Sequence, residues 1–142
     1  MTQMYIGVKM IQAWPEEKDG QAGYAVKYSD DYTSWSPKDV FEKSYYPMGF
    51  VDEHENNSKI TLPMVDQFVS GQPTMVQKVG DKTCVVQKTT ITGMELTNHA
   101  ACVDPANYDP VVGEAIASKK IMDVVWFGLG FVLQWAKNGL KR

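Results

Sequence analysis

Few residues in this chain point directly to a chemistry. Only two of its 142 residues are cysteine, Cys84 and Cys102, and only two are histidine. No Cys-x-x-Cys pair and no His/Cys cluster at zinc spacing occurs, so we expect no metal and no cofactor. The first residues lack the basic start and long apolar core of a secretory signal, which favours two buried free thiols in a reducing cytoplasm.

Arginine and long apolar runs are also scarce. Arg142 is the only arginine and the net charge is −3, which disfavours nucleic-acid binding because duplex binders need a basic face. The most apolar run, residues 121–136, carries Asp123, two glycines and Gln134. It is shorter than the ~20 residues that cross a bilayer, so we expect a buried helix and no membrane contact.

The rest of the chain has the composition of a folded domain, with 44% hydrophobic and 22% charged residues. Its patterns predict an α+β fold: an antiparallel sheet of about six strands, two short helices, and a long C-terminal helix packed on the sheet. The short helices open at Ser36-Pro37, with Ser36 as N-cap, and at Thr61. The predicted strands are 4–14, 23–28, 32–35, 74–79, 82–90 and 94–103, and the long helix is 110–138.

The joint before the long helix has its own local signals. Asp104-Pro105 and Asp109-Pro110 each place a side-chain acceptor before a proline, which caps the free N–H groups of a first helical turn. Inside the helix, Gly128 and Gly130 cost about 1 kcal/mol each relative to alanine. Either another backbone approaches closely there or the helix bends, and we favour a buried, close-packed contact.

Composition also divides the chain. We expect a small β-rich module at 1–49, a polar linker at 50–60 and a strand-strand-strand-helix domain at 61–142, which share one core or fold separately. Residues 15–57 hold ten acidic groups against four lysines, whereas residues 58–142 hold seven against nine basic groups. This asymmetry fits two modules that attract each other, self-assembly through unlike patches, or solvated faces of different composition.

The second half resembles a known family. Thr92-Gly93, the run Ala101-Cys102-Val103-Asp104-Pro105-Ala106-Asn107-Tyr108-Asp109, and a helix with Trp126, Gly130 and Phe131 are similar to a small tailed-phage family of unknown function, known from phages N-four and Sf-six. The resemblance covers about 59–137. The chain departs from it at Thr97-Asn98, where the family has Thr-Gly, and at Trp126-Phe127, where it often has Trp-Pro. The resemblance implies a phage accessory protein and names no reaction.

The first module resembles a leader found in other phage proteins. The match rests on Tyr5-Ile6-Gly7, on Gly23-Tyr24, and most sharply on the run Ser34-Trp35-Ser36-Pro37-Lys38. In some of those proteins the leader precedes a domain from a Thoeris anti-defence family, whose members sequester a nucleotide-derived alarm signal. The resemblance implies ligand binding in the host cytoplasm.

The two cysteines fall on neighbouring predicted strands around Thr92-Gly93. A two-residue turn there places Cys84 opposite Ala101, whereas a three-residue turn or bulge places the cysteines opposite each other. A Cys-His-Asp nucleophile is disfavoured because His99 and Cys102 point to opposite faces of a strand. We therefore expect no enzyme, and no catalytic residue is assigned.

Aromatic residues are dense in the first module: Tyr24, Tyr28, Tyr32, Trp35, Tyr45 and Tyr46. With lysines Lys38 and Lys43 they form a stacking platform for a planar ligand, a self-association surface, or simply a small core. The joint residues either cap turns or line a ligand site. The candidate ligand-binding residues are Trp35, Lys38, Tyr45, Asn98, His99 and Asn107.

These observations lead to two non-enzymatic hypotheses, and an enzyme is a third that a pocket with two perturbed titratable groups would revive. The first is a non-enzymatic phage accessory protein, homo-oligomeric and acting in host takeover or anti-defence, that sequesters a small host ligand such as a cyclic nucleotide signal. The alternative is a protein–protein interaction module that inhibits a host factor through its acidic first half.

Overall fold

A computed structural model describes residues 1–51, 59–69 and 71–142. The structure is α+β, as predicted, with six antiparallel strands, short helices and one long C-terminal helix. The strands form two three-stranded sheets rather than one. The chain divides into two compact units, one comprising Met1–Lys59 with Val132–Arg142 and the other Ile60–Phe131. Most of the predicted linker, at 52–58, lies outside the described residues.

The first unit contains strands β1 (Gln12–Pro15), β2 (Gly23–Lys27) and β3 (Thr33–Pro37), followed by helix α1 (Lys38–Ser44). The prediction of a strand over 4–14 is wrong for residues 4–11, which form no strand and leave Tyr5 and Ile6 exposed. Their apolar and polar residues alternate as in a strand, but their backbone pairs with no strand among the described residues. Ser36 is not the N-cap of α1, because it pairs with Tyr24 in the sheet and the helix begins after Pro37.

The second unit contains helix α2 (Leu62–Phe68), strands β4 (Met75–Val79), β5 (Thr83–Thr89) and β6 (Glu95–Ala101), a 3-10 turn (Pro105–Asn107) and helix α3 (Pro110–Asn138), whose last turns belong to the first unit. One side of this sheet is covered by α3, as predicted. The buried residues of that contact are Cys84 and Val86 of β5, Ala100 of β6, and Ala117 and Ile121 of α3.

The predicted caps at the joint are confirmed. The Asp104 carboxylate accepts a hydrogen bond from Ala106 N at 2.9 Å, and the Asp109 carboxylate accepts from Val111 N at 3.0 Å. Pro110 is the first residue of α3, where its missing N–H loses no helical hydrogen bond. Local side-chain chemistry therefore sets where α3 begins.

The β5–β6 register differs from both arrangements predicted for the cysteines. Thr90 N donates to Met94 O at 2.9 Å, so the turn comprises residues 91–93 and Cys84 lies opposite Ala100. Cys102 is then the diagonal neighbour of Cys84, at roughly 7 Å between side chains. A disulfide needs Cβ atoms about 4 Å apart, and both thiols are free.

A glycine controls how closely α3 approaches the sheet. A Cβ added at Gly113 would lie 2.8 Å from the Cβ of Cys84, which is closer than real Cβ contacts allow. By contrast, a Cβ at Gly128 or Gly130 would meet nothing within 4 Å, and α3 is assigned as helix without a break. The predicted close-packed contact at Gly128 and Gly130 is therefore wrong, and the close approach occurs at Gly113.

We predict that Gly113→Ala destabilises the protein by about 1–3 kcal/mol, because the added methyl group overpacks a helix–sheet contact that has no room for it. Urea unfolding followed by circular dichroism measures the change. Gly128→Ala is the matched control, and it should raise stability by up to about 1 kcal/mol, because alanine is the better helix former and the site is open. Equal effects of the two substitutions would contradict this account of the helix–sheet contact.

Candidate functional site

Three of the aromatic side chains in the first unit form a stack. The ring centroids of Tyr24 and Phe41 are 4.1 Å apart, and those of Phe41 and Tyr45 are 4.8 Å apart. Phe41 is buried and anchors α1 on the Tyr24 side of the sheet. Tyr45, one of the predicted ligand residues, therefore lies in this packed stack.

The opposite side of the same sheet carries two tryptophans. Trp14 of β1 and Trp35 of β3 both pair with Ala25 of β2, so all three project to one side, and Tyr24 projects to the other. Ala25 lies between the two tryptophans in the pairing and is only 2% exposed. We call this side the tryptophan face, comprising Trp14, Trp35, Ala25, Gly23 and the neighbouring Lys18.

Backbone contacts hold the Trp35 ring in place. The indole Nε1 donates to Glu16 O at 2.8 Å, and a Cβ added at Gly23 would lie 2.4 Å from the ring. The ring therefore lies flat across β2, where only glycine fits. Lys18 Nζ is 5.8 Å from the ring centroid, and Trp14 is 44% exposed. Two indoles and an ammonium group are thus placed together on one accessible surface.

Lys38 lies with the Tyr24 stack. Its Nζ is 3.8 Å from Glu42 Oε1, and the same oxygen accepts a hydrogen bond of 2.9 Å from the Tyr24 hydroxyl. This hydrogen bond is the main reason that the pKa of Tyr24 is raised above 10.0. Lys38 and Tyr45 therefore lie at opposite ends of α1, and Trp35 projects from the other side of the sheet.

The three predicted residues of the second unit are not brought together. Asn98 pairs with the buried Val86 and so faces the α3 side, where its side chain accepts a hydrogen bond from His99 N at 3.0 Å. The His99 side chain points to the opposite side of the sheet, and its carbonyl accepts from Lys120 Nζ at 2.8 Å. Asn107 is exposed on the 3-10 turn. In the described part of the chain no hydrogen bond joins their side chains, and their role in binding stays a prediction.

The aromatic ring of Tyr108 lies close to the thiols of Cys84 and Cys102. Lys78 Nζ lies 4.5 Å from its ring centroid, and the ring packs against the buried cluster around Cys84. Desolvation raises the pKa of Tyr108, with further contributions from Cys84 and Cys102. A tyrosine held in its neutral form beside two thiols is a packing arrangement and supplies no acid–base pair.

The described residues contain no group of three or more His, Cys, Asp or Glu side chains able to hold a metal ion. His99 lies within β6, whereas Cys102 comes directly after the last residue of this strand. No helix among the described segments is both long and apolar enough to cross a membrane. The structure thus has the features of a small α+β protein whose accessible groups include aromatic, acidic and basic side chains.

Comparison with known protein families identifies the family of this chain. Residues 40–136 match the family described as phage protein (N4 Gp49/phage Sf6 gene 66), and the chain belongs to this family. The match begins within α1 and so reaches further upstream than the predicted 59–137. No curated protein and no solved structure gives a match. Family membership confirms the resemblance in the second half, and the leader resemblance of the first module stays a prediction.

Sequence reasoning selected Trp35 but missed Trp14 and Lys18. The signal for Trp14 was present in the alternation of residues 4–14, but extending that strand to residue 4 hid the importance of its last residues. Lys18 lies in the loop between β1 and β2, and only the path of that loop places it at Trp35.

The raised pKa of Tyr24 predicts a pH effect on stability. The folded state holds the hydroxyl proton more tightly than the unfolded state, so this stabilisation is present below pH 10.0 and is lost as the pH rises through the raised pKa. In Tyr24→Phe the hydrogen bond to Glu42 is absent, so the stability gap to wild type should narrow above pH 10.0. Thermal unfolding on either side of that pH measures the gap.

Tyr32→Phe is the matched control, because the Tyr32 hydroxyl makes no hydrogen bond in the described part of the chain. Its stability should follow the wild-type curve throughout. A gap between wild type and Tyr24→Phe that stays constant across pH 10.0 would show that the bond to Glu42 does not govern this tyrosine.

Proposed function

We propose that this phage accessory protein binds and sequesters a small, planar, anionic host ligand of the nucleotide class in the host cytoplasm. The observation that carries the proposal is the tryptophan face, where two indoles flank the small Ala25 and Lys18 lies beside Trp35. The anti-defence role implied by the leader resemblance fits such a surface.

The physical basis is stacking combined with one charge. A base stacked on an aromatic side chain contributes roughly 1–3 kcal/mol, and any base has a π face to offer. Trp14 is 44% exposed and offers an indole face to a flat ring, while the Lys18 ammonium group suits a phosphate. A hydrogen bond and a tight backbone fit hold the Trp35 ring, so less entropy is lost when a ligand binds.

Binding without turnover is favoured by the same geometry. The tryptophan face consists of indoles and one ammonium group, and the acidic side chains beside it, Glu16, Glu17 and Asp19, are exposed to water, where a carboxylate is a weak general base. His99 and Cys102 both belong to the second unit, where His99 lies within β6 and Cys102 follows the end of this strand. We therefore propose sequestration, in which the bound molecule is held unchanged.

We predict that purified protein binds AMP, ADP-ribose or 3′,5′-cyclic AMP, with quenching of tryptophan fluorescence as the readout. Trp14→Ala should weaken the affinity about ten-fold or more, since one stacking partner is lost. Lys18→Ala should weaken binding of these phosphate-bearing probes and leave binding of uncharged adenosine unchanged. Tyr5→Ala, which removes an exposed aromatic side chain elsewhere in the first unit, is the control.

Two outcomes separate the candidate surfaces. Loss of binding in Lys38→Ala or Tyr45→Ala, with Trp14→Ala unaffected, would move the site to the α1 side of the sheet. No binding of any probe would contradict the proposal. Mass spectrometry of the ligand released by denaturation should recover it chemically unaltered, and a converted product would replace sequestration with catalysis.

A host protein is the alternative partner, and the charge distribution favours it. The seven described carboxylates between residues 16 and 42 are all exposed. Only Asp31 and Glu42 among them lie within 4.0 Å of a lysine. A pull-down from host lysate should then recover one partner in stoichiometric amount, and Glu16→Lys with Glu17→Lys should abolish its recovery. An empty pull-down would remove this alternative.

A further inference from the structure

Helix α3 carries a second set of apolar side chains that remain exposed among the described residues. Phe127 is 74% exposed and Phe131 is 62% exposed, and their rings are in contact with centroids 6.3 Å apart. Three aliphatic side chains continue the same surface toward the start of the helix. We call this surface the α3 stripe, and its exposed apolar members are Val112, Ile116, Val124, Phe127 and Phe131.

The stripe is large for a protein that remains a monomer. Residues 112–131 span about 30 Å of helix. Two phenylalanines and three aliphatic residues at these exposures present on the order of 500 Å² of apolar surface, at the upper end of what a monomer usually exposes. The core needs none of these side chains, because Ala117, Ile121 and Val125 on the other side of α3 fill it.

Two of the three glycines of α3, Gly128 and Gly130, lie between the two phenylalanines in sequence, and a Cβ at either would meet no heavy atom of the described residues within 4 Å. Each of the two costs about 1 kcal/mol inside a helix. They leave the backbone between the two phenylalanines accessible to a close neighbour.

The side chains of the stripe follow a similar order from either end of the helix, so a second, antiparallel copy of α3 would present a nearly matching surface. Four of its apolar residues, Val112 with Phe131 and Ile116 with Phe127, lie at equal distances on either side of the midpoint between Ile121 and Met122. Val124 corresponds to Lys119, and near the centre Lys120 corresponds to Asp123. An antiparallel second helix would bring the following residues to the same height: Val112 with Phe131, Ile116 with Phe127, and Lys120 with Asp123.

We propose that two copies of this protein associate through antiparallel packing of their α3 stripes. A two-fold axis through the midpoint makes one surface complementary to itself, which is the usual form of a homodimer interface. Apolar residues then pair at both ends of the stripe. At the centre, Lys119 and Lys120 of each copy face Asp123 of the other.

The charged groups at the centre are available for this pairing. Asp123 makes an exposed i,i+4 ion pair with Lys119 at 3.2 Å, and a carboxylate has room for a second donor. Lys120 donates one of its three protons to His99 O, which holds the side chain near the stripe and leaves two protons for a partner. Complementary charge favours the second copy over a membrane, which takes up a stripe of this kind without regard to register.

The area predicts the strength of the dimer. Covering the stripe on both copies removes on the order of 1,000 Å² from water, which is at the lower limit for a specific interface. A dimer in reversible exchange with monomer is therefore expected. It is independent of the tryptophan face, so that its failure and the failure of ligand sequestration are observed separately.

The test is sedimentation equilibrium of the full chain. The wild type should be a concentration-dependent dimer, and Phe127→Asp should weaken association more than ten-fold, because a charge replaces the most exposed apolar group of the stripe. Val103→Asp, at an exposed valine outside α3, is the matched control and should leave the dimer intact. Circular dichroism verifies that both variants fold.

A charge exchange tests the antiparallel register. In Lys119→Glu/Lys120→Glu the centre of the interface is entirely acidic, and in Asp123→Lys it is entirely basic, so each variant alone should be mainly monomeric. An equimolar mixture should form a heterodimer, because each acidic centre then meets a basic one. Lys82→Glu and Asp66→Lys make the same kinds of charge change off the stripe and should each remain dimeric.

Several results would overturn the proposal. These are a wild type that stays monomeric at its highest soluble concentration, a dimer that survives Phe127→Asp, and a mixture that fails to associate. Monomeric wild type that binds phosphatidylcholine/phosphatidylserine vesicles, and loses that binding in Phe127→Asp, would assign the stripe to a membrane. Stoichiometric capture of a host protein by monomer, lost in the same variant, would assign it to that protein.

Discussion

The close approach of α3 to strand β5 is the contact on which the second unit depends. At Gly113 the helix backbone comes so near to Cys84 that no side chain fits between them. One and two turns later Ala117 and Ile121 continue the contact, and they bury Cys84, Val86 and Ala100 of the sheet. The small residues Gly113 and Ala117 let the start of α3 lie close to the sheet, and the larger Ile121 holds the following turn further away. Together they set the distance and the inclination of the helix. The capped start at Asp109 places Gly113 in the first turn, where it makes this approach.

That contact also determines what remains accessible. A helix that buries one row of residues against a sheet leaves other rows exposed, and in α3 these hold apolar residues on either side of a charged centre at Lys119, Lys120 and Asp123. In the first unit a comparable separation occurs across the sheet, where the stack on Phe41 occupies one side and the two tryptophans occupy the other. Each unit thus has one side that maintains its fold and one side with chemistry that the fold does not need. This division is what makes the tryptophan face and the α3 stripe candidates for separate roles.

Features set by neighbouring residues were predictable from the sequence, and features set by pairing were not. Asp104-Pro105 and Asp109-Pro110 determine two helix starts from within a few residues, so the caps were predicted correctly. The β5–β6 register depends on where the turn begins, and the turn at 91–93 is one residue earlier than Thr92-Gly93 suggests. That small difference moves the partner of Cys84 from Ala101 to Ala100, and it makes Cys102 the diagonal neighbour of Cys84. The number of strands was likewise readable from alternation, whereas their division between two sheets depends on contacts distant in sequence.

The candidate site follows the same rule. Trp35 was selected because it lies in a distinctive local motif, but Trp14 becomes significant only through the pairing of both tryptophans with Ala25. Lys38, Tyr45, Asn98, His99 and Asn107 were chosen by residue type and nearness in sequence. The structure distributes them over both sides of a small sheet and both units, since alternation along a strand separates adjacent residues.

The diagonal placement of the two thiols has a practical consequence. Cys84 is fully buried under α3, whereas Cys102 is partly exposed at the end of β6. A maleimide dye added to the native protein will therefore attach at a single position, and reaction at the other sulfur requires the helix to lift from the sheet. The rate at which Cys84 is labelled therefore measures how often α3 separates from the sheet, and no engineered residue is needed.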